Sequence, residues 1–172
     1  AYEKGDVILS AKKLKPGKVK FRFPSVGATE NLMMCAALIE GTTTLENCAS
    51  EPEIEDLAAA LVKMGASVTG AGSPVIKITG AARLKGLKHT VMPDRVETGT
   101  FMLLCAAAGG RIKLLNTAPK TLGALIRAME KAGVKINAFK DSMEIIAPAG
   151  RPRPVSVVTR PHPGFPTDLQ AP

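Results

Sequence analysis

The chain predicts an α/β fold built from repeated β-α-β-α-β-β units, and three observations carry that prediction. The first is a recurring triplet. Phe23-Pro24-Ser25, Met92-Pro93-Asp94 and Phe165-Pro166-Thr167 each close an extended stretch and precede a helical pattern, at a spacing of about 70 residues. The second is the matching text that follows two of them, Leu32-Met33-Met34-Cys35-Ala36-Ala37 and Met102-Leu103-Leu104-Cys105-Ala106-Ala107. The third is the order in which the hydrophobic period switches between that of a strand and that of a helix. A third copy has barely begun at Pro172, so an internal piece of a longer repeat protein is expected.

The elements follow in order. Val7-Ile8-Leu9-Ser10 reads as a strand, Pro16-Gly17 as a turn, and Val19 to Phe23 as a strand whose apolar and basic residues alternate about one buried face. Asn31 to Ile39 reads as a helix ending near Gly41, and the β-branched Thr42-Thr43-Thr44-Leu45 as extended chain. Ser50-Glu51-Pro52-Glu53 has the form of a capping box with Pro in the first turn. Ile54, Leu57, Ala58 and Leu61 then make an apolar stripe at helical spacing until Gly65 stops it. Strands Ala66 to Thr69 and Val75 to Thr79 complete the unit. The second copy gives a helix over Val96 to Ala108, a strand over Arg111 to Leu115 and a helix over Pro119 to Ala132 striped by Leu122, Leu125, Ile126 and Met129. Strands Val134 to Ala138 and Met143 to Ala147 follow, with Gly133 as the stop. Helices and strands of this length bury their apolar faces only against one another, so the units should pack around shared helices.

Composition narrows the partners. A net charge of +8 favours anions, whether nucleic acid, a membrane surface or a phosphorylated small molecule. With no Trp, one Tyr and five Phe, stacking on bases has little part, which argues against nucleic acid. The basic residues gather at Lys12, Lys13, Lys15, Lys18, Lys20 and Arg22, and again at Arg83, Lys85 and Lys88; both groups read as solvated hairpins in equivalent places. The longest apolar runs, Leu32 to Ile39 and Phe101 to Ala108, fall far short of the ~20 residues that span a bilayer. Three cysteines without metal or redox spacing fit a reducing compartment, hence the cytoplasm. Cys35 and Cys105, in equivalent apolar runs, read as core residues.

Two constellations could carry chemistry. Pro24-Ser25-Val26-Gly27-Ala28-Thr29-Glu30-Asn31 opens a helix without the acidic or amide partner of a capping box, whereas Asp94-x-x-Glu97 and Thr167-x-x-Gln170 have it. Small residues and unclaimed N–H groups there suit a phosphate; a plain Ser cap with a tight glycine entry accounts for the same residues equally well. Glu51, Asp94 and Asp168 each sit at a helix start, where the macrodipole stabilises a carboxylate. One of them could act as general base for a substrate hydroxyl, and spacing does not choose which. His89 and His162 are isolated, His162 between prolines in a loop; neither suggests a metal site.

The Pro24–Asn31 stretch, Glu51-Pro52-Glu53-Ile54, Pro93-Asp94-Arg95-Val96-Glu97-Thr98-Gly99-Thr100 and Pro163-Gly164-Phe165-Pro166-Thr167-Asp168-Leu169-Gln170-Ala171 together resemble the enolpyruvyl transferase family, in its UDP-N-acetylglucosamine 1-carboxyvinyltransferase branch. The resemblance runs from about Val7 to the last residue. It implies an inside-out α/β barrel of two domains, each of three β-α-β-α-β-β units. Residues 1–92 would be the end of the UDP-sugar-side domain and 93–172 the beginning of the catalytic one. The implied reaction moves the enolpyruvyl group of phosphoenolpyruvate to the 3-hydroxyl of UDP-N-acetylglucosamine, releasing phosphate, in the first committed step of peptidoglycan synthesis. It uses no metal or organic cofactor, and the partners are those two substrates and the rest of the polypeptide, with neither nucleic acid nor membrane.

Position by position, the resemblance assigns Ser25, Val26 and Gly27 to the UDP part of the substrate. Asp168 matches the aspartate placed at the attacking sugar hydroxyl as base, and Glu51 a glutamate near the site. Phe23 departs from members that have Lys two residues before the Ser, which puts one charge contact to the nucleotide in question. None of Cys35, Cys48 or Cys105 matches the family's reactive loop cysteine. That cysteine and a phosphoenolpyruvate-binding lysine are expected before Ala1, further arginine and aspartate residues after Pro172, and no transferase activity from these 172 residues alone. The rival readings are the related transferase of shikimate metabolism, which should lack the Ser25–Asn31 text, and a basic RNA-binding repeat module.

Overall fold

The computed structural model describes residues 2–3, 5–8 and 10–172. The chain divides into two compact units, one of Ala1–Cys48 with Leu57–Lys88, the other of Ala49–Asp56 with His89–Pro172.

The first unit starts with β1 (Tyr2–Glu3) and β2 (Asp6–Val7), a short antiparallel hairpin. The strand expected over Val7–Ser10 thus pairs earlier in the chain; Leu9 of that stretch lies outside the described residues. Strand β3 (Lys18–Lys20) runs parallel to β4 (Gly41–Glu46), with helix α1 (Val26–Ala36) between them in sequence. Pro16-Gly17 is no hairpin turn. The Gly17 carbonyl already accepts the Thr44 N–H at 2.8 Å, so the chain is extended beside β4 before β3 begins. Nor does the Val19–Phe23 stretch bury a face: Lys18 to Lys20 are all exposed and Phe23 is 65% exposed. A parallel edge strand is bonded on one side only, and its lysines discourage further pairing. The clustered basic residues are solvated, as read, but not as a hairpin.

Strands β5 (Ser67–Thr69) and β6 (Val75–Gly80) complete an order β3-β4-β6-β5. Register sets Leu45 opposite Ile76 and Thr43 opposite Ile78, so these four share a face. Leu45, Ile76 and Ile78 are fully buried, as are Met33 and Ala37 from the α1 side. Where β6 passes the end of α1, a Cβ on Gly80 would lie 2.3 Å from the Ile39 carbonyl oxygen and 2.5 Å from that of Ala36; only glycine permits this approach. Helix α2 (Pro52–Met64) buries Ile54, Ala58 and Leu61 and ends at Gly65, whose φ of 113° is the left-handed stop read from the sequence.

The second unit contains α3 (Arg95–Ala108), β7 (Arg111–Leu115), a 3₁₀ turn at Pro119–Leu122 leading into α4 (Gly123–Lys131), β8 (Lys135–Ala138), β9 (Ser142–Ile146) and a 3₁₀ turn at Thr167–Leu169. Its sheet, β7-β9-β8, repeats the order β4-β6-β5, and β4 and β7 are each followed by an asparagine with positive φ, Asn47 at 57° and Asn116 at 54°. Met102, Cys105, Leu122, Leu125, Met129, Val134, Met143, Ile145 and Leu169 form its core.

Helix α1 begins at Val26, five residues before the expected Asn31. The small residues before the apolar run are already helical because the Ser25 carbonyl accepts both the N–H and the hydroxyl of Thr29, at 3.0 and 2.7 Å. Asp94 and Thr98 repeat this at 3.1 and 2.7 Å. Counting from these caps, Met33 corresponds to Met102 and Ala36 to Cys105, all buried, while Cys35 corresponds to Leu104 and both are exposed. The reading of Cys35 as core is therefore corrected: the matching text slips by one residue against the helix frame, which moves Cys35 to the outer face.

Candidate functional site

The entrance to α1 is capped, but thinly. Ser25 Oγ accepts the Ala28 N–H at a long 3.4 Å, the Ser cap that is one of the two readings of this stretch. Among the described residues the N–H groups of Val26 and Gly27 have no acceptor, and no acidic side chain sits in the first turn. The α3 entrance contrasts with it. Asp94 accepts from Val96 and Glu97 at 2.7 and 3.1 Å, and Glu97 adds a second carboxylate. The positive end of α1 is thus the one of the two not neutralised by its own chain.

Glu51, Glu53, Arg95, His162 and Asp168 belong together to the second unit. The capping box expected at Ser50 does not form, because both of its side chains are engaged elsewhere. Ser50 Oγ donates to the His162 carbonyl at 3.4 Å. Glu53 takes Arg95 in a two-pronged pair, Nη2 to Oε1 at 2.8 Å and Nε to Oε2 at 3.2 Å. Beside this pair is a cleft of about 280 Å³ lined by Glu53 and residues 91–96. Glu51 is 9% exposed; one carboxylate oxygen accepts the His162 N–H at 3.4 Å, and the other is buried with no hydrogen-bond partner among the described residues. A buried acceptor without a partner is costly, so it is poised to receive a donor.

Asp168 lies on the 3₁₀ turn, exposed, between exposed Thr167 and buried Leu169. Thr167 is the first residue of that turn and makes no cap, so the Thr167–Gln170 box is likewise not formed. Arg95 gathers the charges of this unit. The Glu53 hydrogen bond raises its pKa, burial opposes, and the carboxylates of Glu53, Glu51 and Asp168 raise it further. For Glu53, burial pushes the carboxyl up, but the hydrogen bond and charge of Arg95 outweigh it and hold the group below its usual value.

The sequence pointed to Ser25, Val26, Gly27, Glu51 and Asp168. The first three fall in one unit; Glu51 and Asp168 fall in the other, both within the field of Arg95. The sequence assigns Arg95 no role and Glu53 only that of a capping-box partner, since residues 42 apart with no shared period give no sign of pairing. Among the described residues no group of three or more His, Cys, Asp or Glu side chains could hold a metal ion, and no helix is long and apolar enough to cross a membrane.

This arrangement has the fold of the enolpyruvyl transferases. The crystal structure of the enolpyruvyl transferase NikO from Streptomyces tendae matches with a TM-score of 0.83 over 99% of this chain and 43% of that one, at 23% identity. The chain belongs to the EPSP synthase (3-phosphoshikimate 1-carboxyvinyltransferase) family, whose model matches residues 1–172. Within it, the chain is 47% identical over 171 residues to a UDP-N-acetylglucosamine 1-carboxyvinyltransferase of Elusimicrobium minutum, covering 99% of this chain and 40% of that protein. It is also 47% identical over 159 residues to the protein of that name in Shewanella sp. (strain ANA-3), covering 92% and 38%. The chain thus spans about 40% of the length of the curated relatives it matches.

Proposed function

We propose that the whole protein containing this chain transfers the enolpyruvyl group of phosphoenolpyruvate to the 3-hydroxyl of UDP-N-acetylglucosamine, releasing phosphate. The observation that carries this reading is 47% identity, over 99% of the chain, to a protein of that name. In balance, a C–O bond forms between the sugar hydroxyl oxygen and the enolpyruvyl carbon, the C–O bond to phosphate breaks, and the hydroxyl proton leaves through a base. Asp168 is that base, exposed on its turn to meet a hydroxyl. Ser25, Val26 and Gly27 receive the UDP part, with two free amides at a helix start that carries no carboxylate. Glu51, with one buried oxygen unsatisfied, takes a donor from the bound sugar. No metal or organic cofactor is assigned. Residues 1–92 serve the UDP-sugar side and 93–172 open the catalytic domain, and the protein works in the cytoplasm at the entry to peptidoglycan synthesis.

The test is phosphate release by the whole protein from phosphoenolpyruvate, with UDP-N-acetylglucosamine or 3-phosphoshikimate as acceptor. Release with the UDP-sugar alone is expected, and Asp168→Asn should lower kcat by about 10²- to 10⁴-fold while UDP-sugar binding persists. Turnover only with 3-phosphoshikimate would overturn the substrate assignment, and full activity of Asp168→Asn would overturn the base.

A further inference from the structure

We infer that Gly99 positions the Asp168 carboxylate by fixing the seat of Leu169. The inference rests on the proposed role of Asp168 as base.

Gly99 is buried within α3, a place where glycine weakens a helix and alanine would strengthen it. The structure shows what the missing side chain makes room for. A Cβ at Gly99 would stand 2.7 and 2.9 Å from the two Cδ atoms of Leu169 and 3.0 Å from a Cδ of Leu125. Both leucine methyls are against the glycine in this packing. Leu169 is 3% exposed and Leu125 1% exposed, and both belong to the core formed with Met102, Cys105 and Leu122. One relief is for Leu169 to withdraw by about 0.7 Å to ordinary contact distance, which draws on the turn that carries it.

Leu169 carries Asp168 with it. Asp168 is its immediate neighbour in a three-residue 3₁₀ turn, tied by Leu169 N–H to the Pro166 carbonyl at 3.2 Å and Gln170 N–H to the Thr167 carbonyl at 3.0 Å. The turn has no side-chain cap, and Leu169 is its one buried residue. The depth to which Leu169 enters the Gly99 notch therefore sets where the exposed carboxylate beside it stands. A misplacement on the order of 1 Å can cost about 10²-fold in rate, so a 0.7 Å shift is expected to cost roughly 10- to 100-fold.

The experiment uses the whole protein, with phosphate release as assay and the melting temperature as a check on folding. Gly99→Ala should lower kcat by about 10- to 100-fold with the UDP-sugar KM within about twofold, because Ser25–Gly27 belong to the other unit. Leu169→Val added to Gly99→Ala removes about the volume that was introduced and should restore kcat to within a few-fold. If Gly99→Ala alone does not fold, the double variant still decides, together with Leu169→Ala, which empties the notch and should also lower kcat with KM kept. A folded Gly99→Ala with unchanged kcat, or a folded double variant no better than an inactive single one, overturns the inference. Asp168→Asn separates the two levels: if it is fully active, the base reading falls; if it is inactive while Gly99→Ala is not, only the positioning role falls.

Discussion

Replacing Glu53 by glutamine keeps the shape of the side chain and removes the partner on which Arg95 depends. The Arg95 side chain is 9% exposed and that of Glu53 32%, and they share two hydrogen bonds at 2.8 and 3.2 Å. Breaking a fully buried pair costs about 3–5 kcal/mol, because an uncompensated charge remains, whereas a surface pair is worth at most about 1. With one partner a third exposed, about 2 kcal/mol is expected for Glu53→Gln. At about 4–8 °C per kcal/mol for a unit of this size, the transition should fall by roughly 10 °C. Two units need not melt together, so hydrogen exchange of the α3 amides identifies the transition concerned. The pH dependence follows from the direction of the shift. Glu53 is held below its usual carboxyl value in the folded state, so its contribution is complete above the ordinary carboxylate range and is lost as pH falls through the folded value. Native and Glu53→Gln proteins should therefore differ most near neutrality and converge in acid. A change under about 2 °C at neutral pH, or a gap that stays constant into acid, would refute the coupling.

Cysteine labelling tests the helix frame. Cys35 should react with a thiol reagent at the rate of an exposed thiol, while Cys48 and Cys105 are protected until unfolding. At Cys48, burial pushes the thiol pKa up more than the Ile76 backbone hydrogen bond lowers it, which reinforces that protection near neutrality. Equal rates at all three would place Cys35 back in the core. Gly80→Ala should destabilise the first unit by about 2–3 kcal/mol in chemical denaturation, since the new Cβ meets backbone oxygens rather than a movable side chain. A neutral or stabilising result would mean that α1 can lift from β6 without cost.

Much of the fold is legible because its signals are local. Helices α2 and α4 announce themselves by apolar stripes closed at Gly65 and Gly133, and β7 falls on the predicted residues Arg111 to Leu115. Helix α1 was harder. Its run Leu32-Met33-Met34-Cys35-Ala36-Ala37 is apolar on every side, so nothing in it says which face is inward, and alignment by text rather than by cap misassigned Cys35. Alternation at a solvated edge looks like alternation over a core, so the sequence predicts a strand as far as Phe23 where β3 ends at Lys20. Capping boxes failed for a related reason: Ser50 and Glu53 have the right types and spacing, but partners more than 40 residues away took both side chains.

By itself, the sequence determined the repeat, the order of its elements and the residues that point to an enolpyruvyl transferase. The first two follow from periodicity, turn chemistry and cap residues, which act over a few neighbouring positions; the last rest on motif resemblance. Only the tertiary structure decided that Arg95 pairs with Glu53 within reach of the charges of Glu51 and Asp168, that one oxygen of Glu51 is buried without a partner, and that Leu169 fills the notch at Gly99. Those are contacts between segments separated by tens of residues, settled by how packed surfaces fill space and satisfy buried charge.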